Sequence, residues 1–244
     1  MIDPAGLAGI GAGVGVVYGA FGAGASAFAT PLLALAGVPP LVAIASPLPA
    51  TIPAGLAGAW SYRREGAVAT KVARRAVLVG IPTAVAGALC SNAVPGSVLL
   101  ALSALVLLVL GLRMSVPSSK VVTRPHHDLV ITAAVAGTGF AAGLLANGGG
   151  FLLVPVFLLV AGLGIRTAAG TSLLVAAAMT VPTLATHWAL GHVDWSVAIA
   201  FAVGLLPGTV AGSRLVRRLP EAPSQRAFGA VLLVFAAWYL LRLS

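Results

Sequence analysis

Long apolar blocks separated by short polar ones dominate the pattern of this chain. Stretches at 3–37, 40–60, 76–92, 97–112, 129–163, 167–189 and 195–210 hold no lysine, arginine or glutamate. A helix needs roughly 20 apolar residues to cross a bilayer, so these blocks predict membrane-spanning helices. Two blocks, 3–37 and 129–163, are apolar pairs interrupted by glycine, at Gly22-Ala23-Gly24 and at Asn147-Gly148-Gly149-Gly150. Their second arms, 27–37 and 151–163, fall well short of a crossing. That favours re-entrant hairpins turning near the midplane over two short crossings. Pro47, Pro49 and Pro53 predict kinks in 40–60, because proline removes an intrahelical hydrogen bond.

Composition points the same way. Of 244 residues, 59% are hydrophobic and 8% charged, against about 25% charged in soluble domains. So few charges could not cover a water-facing surface, which excludes an ordinary cytosolic enzyme, a disordered tail and a disulfide-rich secreted module. Cys90 is the one cysteine, so no internal disulfide forms, and metal or redox motifs are absent. His126-His127-Asp128 resembles a metal-ligand run only superficially. The start, Met1-Ile2-Asp3-Pro4, carries no basic region and does not read as a cleaved signal peptide. Neither metal nor cofactor is expected.

The sequence repeats itself. Gly19–Gly24 overlays Gly143–Gly148, which brings Pro31 onto Pro155; Gly80–Gly87 resembles Gly204–Gly212, with Pro82 near Pro207 and Pro95 on Pro220. Compositional bias could align glycine and alanine, but it would not hold prolines in register at an offset near 124 or 125. The chain therefore divides into a first membrane repeat (1–112), a cytoplasmic linker (113–128) and a second membrane repeat (129–244).

Charge orients the halves. The net charge is +9, from 14 Lys and Arg against 5 Asp and Glu. Nucleic-acid binding would need a soluble basic face. Here the cations instead cluster between apolar blocks: Arg63, Arg64, Lys71, Arg74 and Arg75; Arg113, Lys120 and Arg124; Arg214, Arg217 and Arg218. Cytoplasmic loops collect Lys and Arg. Loop 61–75 is basic while its counterpart near 187–194 has no Lys or Arg, and 213–220 is basic while 91–97 is uncharged. Equivalent loops thus lie on opposite sides. The expected fold is an all-α integral membrane protein of two inverted-topology repeats, each a glycine-broken re-entrant pair plus three transmembrane helices. Both termini are expected to be periplasmic.

The acidic residues Asp3, Glu65, Asp128, Asp194 and Glu221 all fall in loops or at segment ends. A cation pump usually places Asp or Glu within the membrane, and intramembrane proteolysis needs paired Asp or a His-Glu-x-x-His motif; neither is present. The broken helices offer something else. A helix restarting after a glycine break presents unpaired N–H groups and the positive end of its dipole, which together make an anion site without a basic side chain. Inverted-repeat transporters hold substrate where two such ends meet. The candidate binding residues are Gly22, Gly24, Ser26, Ser46, Asn147, Gly148, Gly149, Gly150, Thr171 and Ser172. Close helix packing is the competing explanation for the glycines, and N-capping for Ser46, Thr171 and Ser172. His187 and Arg166 are candidate gating residues, against plain interfacial and positive-inside readings.

Two apolar halves, each with a glycine-rich break followed by proline, resemble the sulfite exporter TauE/SafE family. The second half carries the clearer copy, Gly148-Gly149-Gly150-Phe151-Leu152-Leu153-Val154-Pro155 and then Gly170-Thr171-Ser172. The first half departs from it, with Ala25-Ser26 in place of glycines and Ala45-Ser46-Pro47 in place of a Thr-Ser pair. The resemblance implies a prokaryotic inner-membrane permease, often an exporter, for sulfite, sulfonates and related small anions. No ATP-binding motif is present, so gradients or a partner would supply the energy. An anion channel and a non-transporting scaffold subunit are the alternatives. The expected partners are a small anion and membrane lipid. Small-residue faces also permit a homodimer.

Overall fold

The computed structural model describes residues 3–21, 25–115, 128–146, 150–216, 230, 233 and 234. Among these, every regular element is a helix. The first half holds α1 (Pro4–Phe21), α2 (Ala25–Leu35), α3 (Pro40–Ala45), α4 (Leu48–Arg63), α5 (Thr70–Ser91) and α6 (Gly96–Ser115). The second half holds α7 (Asp128–Leu144), α8 (Gly150–Pro155), α9 (Ile165–Ala189) and α10 (Trp195–Val216), and α8 runs on into a π-helical turn, Val156–Val160. Among the described residues, α1, the stretch Pro40–Arg63, α5, α9 and α10 are long and apolar enough to cross a membrane. His126 and His127 lie outside the described residues.

Proline and glycine set the boundaries. Pro47 separates α3 from α4, whereas α9 runs unbroken through Thr171 and Ser172. Proline lacks the N–H of the helical ladder and crowds the carbonyl one turn back; Ser172 does neither. Four helical segments close on a left-handed glycine: Gly37 (φ +90°), Gly66 (+70°), Gly162 (+67°) and Gly191 (+74°). After Gly66 and Gly191 the next N–H reaches back five residues, Ala67 to the Tyr62 carbonyl and His192 to the His187 carbonyl. A side chain at such a glycine would be strained.

Two long contacts frame the bundle, α1 on α10 and α5 on α7. Antiparallel α4 and α9 pack between them, with Gly55 and Gly58 of α4 against Leu173. Small residues make these approaches possible. A Cβ on Gly15 would stand 2.5 Å from the Leu205 carbonyl oxygen, and one on Gly204 would collide with the Ala8 carbonyl. In lipid, where apolar surface gains nothing by leaving water, such close backbone contact is what holds helices together.

The two arms of each glycine-interrupted pair differ in length. With 18 and 17 residues, α1 and α7 are about 27 and 25 Å long at 1.5 Å per residue. The end of α1 lies beside Tyr62, near the end of α4, and the end of α7 beside His187, near the end of α9. Each first arm thus reaches the end of a long neighbouring helix, and the second arm is the shorter of the two.

Candidate functional site

The short arms meet inside the bundle. Ala25, Phe28, Ala29 and Leu33 of α2 share one apolar cluster with Leu152 and Val154 of α8. Pro31 lies within α2 and Pro155 ends α8. Ser26, in the first turn of α2, is fully buried, and its hydroxyl is the one buried side-chain polar atom without a hydrogen-bond partner among the described residues. An unsatisfied buried donor costs about 1–3 kcal/mol, and it stands where the α2 N–H groups begin. At the start of α8, the Gly150 carbonyl accepts a 2.9 Å hydrogen bond from the Ser172 hydroxyl. That bond fixes α8 to α9. Gly22, Gly24, Asn147, Gly148 and Gly149 lie outside the described residues.

Ser46 and Thr171 do something different from capping their own helices. Ser46 follows the last residue of α3, and Thr171 lies within α9. Each oxygen accepts a backbone N–H from the other half: Ala69 donates to Thr171 Oγ1 at 2.9 Å, and Asp194 donates to Ser46 Oγ at 3.0 Å. Ala69 and Asp194 immediately precede α5 and α10. The two hydroxyls therefore latch the starts of those helices across the halves. Asp194 in turn caps α10, accepting the Ser196 N–H at 2.8 Å and the Ser196 hydroxyl at 2.6 Å. The Ser196 hydroxyl is the main reason the Asp194 carboxyl is held below its usual range.

Two polar side chains brace the ends of the long arms. Tyr62 donates to the Ala20 carbonyl at 2.8 Å and approaches Gly19 at 3.4 Å. His187 Nε2 lies 3.2 Å from the Gly143 carbonyl. Since a carbonyl only accepts, that nitrogen carries the proton, and in neutral His187 the Nδ1 accepts. His192 Nδ1, 3.1 Å away, then donates. Burial lowers the pKa of His192. Beside this pair Trp188 meets Trp195 edge to face, with centroids 5.7 Å apart. Arg166 is the second residue of α9 and half-buried.

The structure thus joins Gly150 with Ser172, engages Ser46 and Thr171 in latches, and leaves the Ser26 hydroxyl unused. Tyr62, Tyr18 and His192 were not legible as site neighbours. Tyr18 is buried, its hydroxyl 3.4 Å from the Thr51 carbonyl. A signal did exist for His192, which follows His187 by five residues. Among the described residues no three His, Cys, Asp or Glu side chains converge as a metal site would need.

Comparison with known proteins agrees with this architecture. A probable membrane transporter protein of Xylella fastidiosa (strain Temecula1) is 31% identical over 239 residues, covering 94% of this chain and 92% of that protein. The probable membrane transporter protein YdhB of Bacillus subtilis (strain 168) is 27% identical over 223 residues, covering 85% and 88%. No solved structure matches the chain. The family model described as sulfite exporter TauE/SafE matches residues 7–239. With nearly the whole chain inside that match, and glycine-broken short arms meeting in an all-helical bundle, the protein belongs to the sulfite exporter TauE/SafE family, membrane transporters rather than enzymes.

Proposed function

We propose that the protein is a secondary transporter that exports small sulfur-containing anions, such as sulfite or organosulfonates, across a prokaryotic inner membrane. The observation that carries the reading is the buried, unpartnered hydroxyl of Ser26 in the first turn of α2, where α2 meets α8. A hydroxyl beside unpaired helix N–H groups suits an anion that brings its own acceptors. The glycines of the two breaks, Gly22 with Gly24 and Gly148 with Gly149, would let the anion approach the backbone, and Asn147 would add an amide donor. Ser172 and Gly150 form the wall on the second-half side. Ser46 and Thr171 shape the site through their latches.

Alternating access is proposed to rest on two inverted repeats. Helix pairings exchange between halves, α1 with α10 and α7 with α5. The latches Ser46–Asp194 and Thr171–Ala69 recur 125 residues apart, as do the left-handed glycines 37 and 162, and 66 and 191. Both termini would then be periplasmic. Tyr62 and His187 brace opposite ends and would serve as gates.

Calorimetry of sulfite binding to the purified chain tests the substrate, with sulfate, thiosulfate and a small sulfonate as competitors. Saturable binding is expected, weakened about tenfold in Ser26→Ala by the loss of one donor to a charged group. Absence of binding by all four anions to folded protein would overturn the substrate assignment. Counterflow in liposomes separates carrier from channel, because only a carrier is stimulated by anion on the far side.

A further inference from the structure

Outside the site just described, a cleft lies between the starts of α5 and α7, with a volume of about 240 Å³. On α5 it is lined by Val72, Arg75 and Val79, and on α7 by Asp128, Ile131 and Val135. Residues three, four and seven apart share a helix face, so each helix turns one continuous stripe to the cleft. The helices touch further along, where Gly139 meets Gly80 and Thr83 and Gly143 meets Ala84. Towards their starts, Val79 and Val135 stand between them.

Duplication of the sequence supplies a control. Where α5 has Val79 and α7 has Val135, the aligned positions of α10 and α1 are Gly204 and Gly11. There the backbones close, Gly204 against Ala8 and Gly11 against Phe201. Arg75 and Asp128 align with Ala200 and Pro4. One helix pair is thus sealed, and its counterpart carries an apolar slot with a charged mouth. At that mouth Arg75 and Asp128 form a 2.9 Å ion pair, 71% and 73% exposed. Lys71 lies one turn nearer the start of α5 on the same face, and Arg74 is exposed alongside.

We propose that this cleft binds one anionic phospholipid, an acyl chain lying along Val72, Val79, Ile131 and Val135 and the phosphate held by Arg75 and Lys71. The chemistry of the two ends matches such a molecule. An apolar slot on a membrane helix pair accepts a hydrocarbon chain, and cations at the polar boundary attract an anionic headgroup. Arg75 can turn from Asp128 to phosphate at little cost, because an exposed ion pair contributes little, and its planar fork suits a phosphate. A zwitterionic lipid would fill the slot without engaging the net positive charge. The inference needs only that the chain spans a membrane and is independent of the transported anion.

Native mass spectrometry of the full chain in detergent, titrated with dioleoyl phosphatidylglycerol or dioleoyl phosphatidylcholine, tests it. One phosphatidylglycerol per chain should bind about tenfold tighter than phosphatidylcholine, an energy difference of about 1.4 kcal/mol. Arg75→Gln should abolish the preference, Val135→Phe should weaken both lipids by filling the slot, and Asp128→Asn should strengthen phosphatidylglycerol by removing its competitor. Equal binding of the two lipids would overturn the proposal, as would a phosphatidylglycerol affinity unmoved by Val135→Phe and Asp128→Asn. Displacement by millimolar inorganic phosphate would reduce the cleft to a headgroup site and overturn the acyl-chain assignment. A lipid-free dimer broken by Val135→Phe would show that a second copy covers the face. If Val135→Phe, at a buried position, does not fold, the exposed Arg75 and Asp128 variants still decide.

Discussion

The pairs α1 with α10 and α5 with α7 come from aligned stretches of the two halves, yet they close differently. Along the first, Gly11, Gly15 and Gly19 face Phe201, Leu205 and Thr209 closely enough that no Cβ would fit. Along the second, the glycines are confined to the later half, Gly139 and Gly143 against Gly80 and Ala84, and valines occupy the earlier half. In a bilayer the helices gain little from hiding apolar groups, so contact distance decides how firmly they associate. An isopropyl group at each of two positions therefore separates a sealed seam from a slot.

The largest effect should come from forcing the sealed seam to resemble the open one. Gly204→Val places a branched side chain against the Ala8 backbone and should destabilise the fold by about 2–3 kcal/mol, read as a lowered midpoint of thermal unfolding in detergent. The reciprocal Val79→Gly should lower that midpoint less, by about 1 kcal/mol for glycine within a helix, because it forces no backbones apart. Comparable losses from both would break the comparison.

Next come the latches that hold the starts of α10 and α5. Ser46→Ala should release the Asp194 N–H, and Thr171→Ala the Ala69 N–H, each at about 1–2 kcal/mol for an unsatisfied group. Hydrogen exchange should rise at 190–194 in the first variant and at 66–69 in the second. Each effect appears in the half opposite the mutation, which a local role would not produce.

Acidification should separate the two ends further. Burial lowers the pKa of His192, so the folded state prefers its neutral form. The stability this contributes is fully present above the ordinary value of about 6.5 and is lost as pH falls through the lowered one. Protection at 190–194, measured relative to the intrinsic exchange rate at each pH, should therefore fall between pH 7.5 and 5, while that of 64–69, braced by Tyr62, should not respond. An equal response at both ends would count against the histidine pair as the cause.

Arg75→Gln should have the smallest effect on stability, below about 0.5 kcal/mol, because its ion pair with Asp128 is exposed. A larger loss would mean that the charged mouth, and not the glycine contacts beyond it, holds α5 to α7.

Much of this was legible in the chain. Apolar block length gave the spanning helices, since a bilayer imposes a minimum run. Pro47 announced the interruption between α3 and α4. Ser26 stood out beside the first glycine break, and its lack of a partner became visible only in the packed bundle. Ser46, Thr171 and Ser172 illustrate the opposite. All three were read as capping or ligand hydroxyls, and all three form bonds to residues at least 22 positions away. No local pattern encodes those partners.

What the sequence determined by itself is therefore the solvent and the repeat. Too few charges force the chain into lipid, and prolines and glycines recur in register at an offset of about 124 residues. Tertiary structure alone decided the exchange of partners between halves and the difference between the seam and the slot. The physical reason is that each depends on the distance between two backbones. That distance is set by the side chains of both helices together, and neither helix carries it in its own sequence.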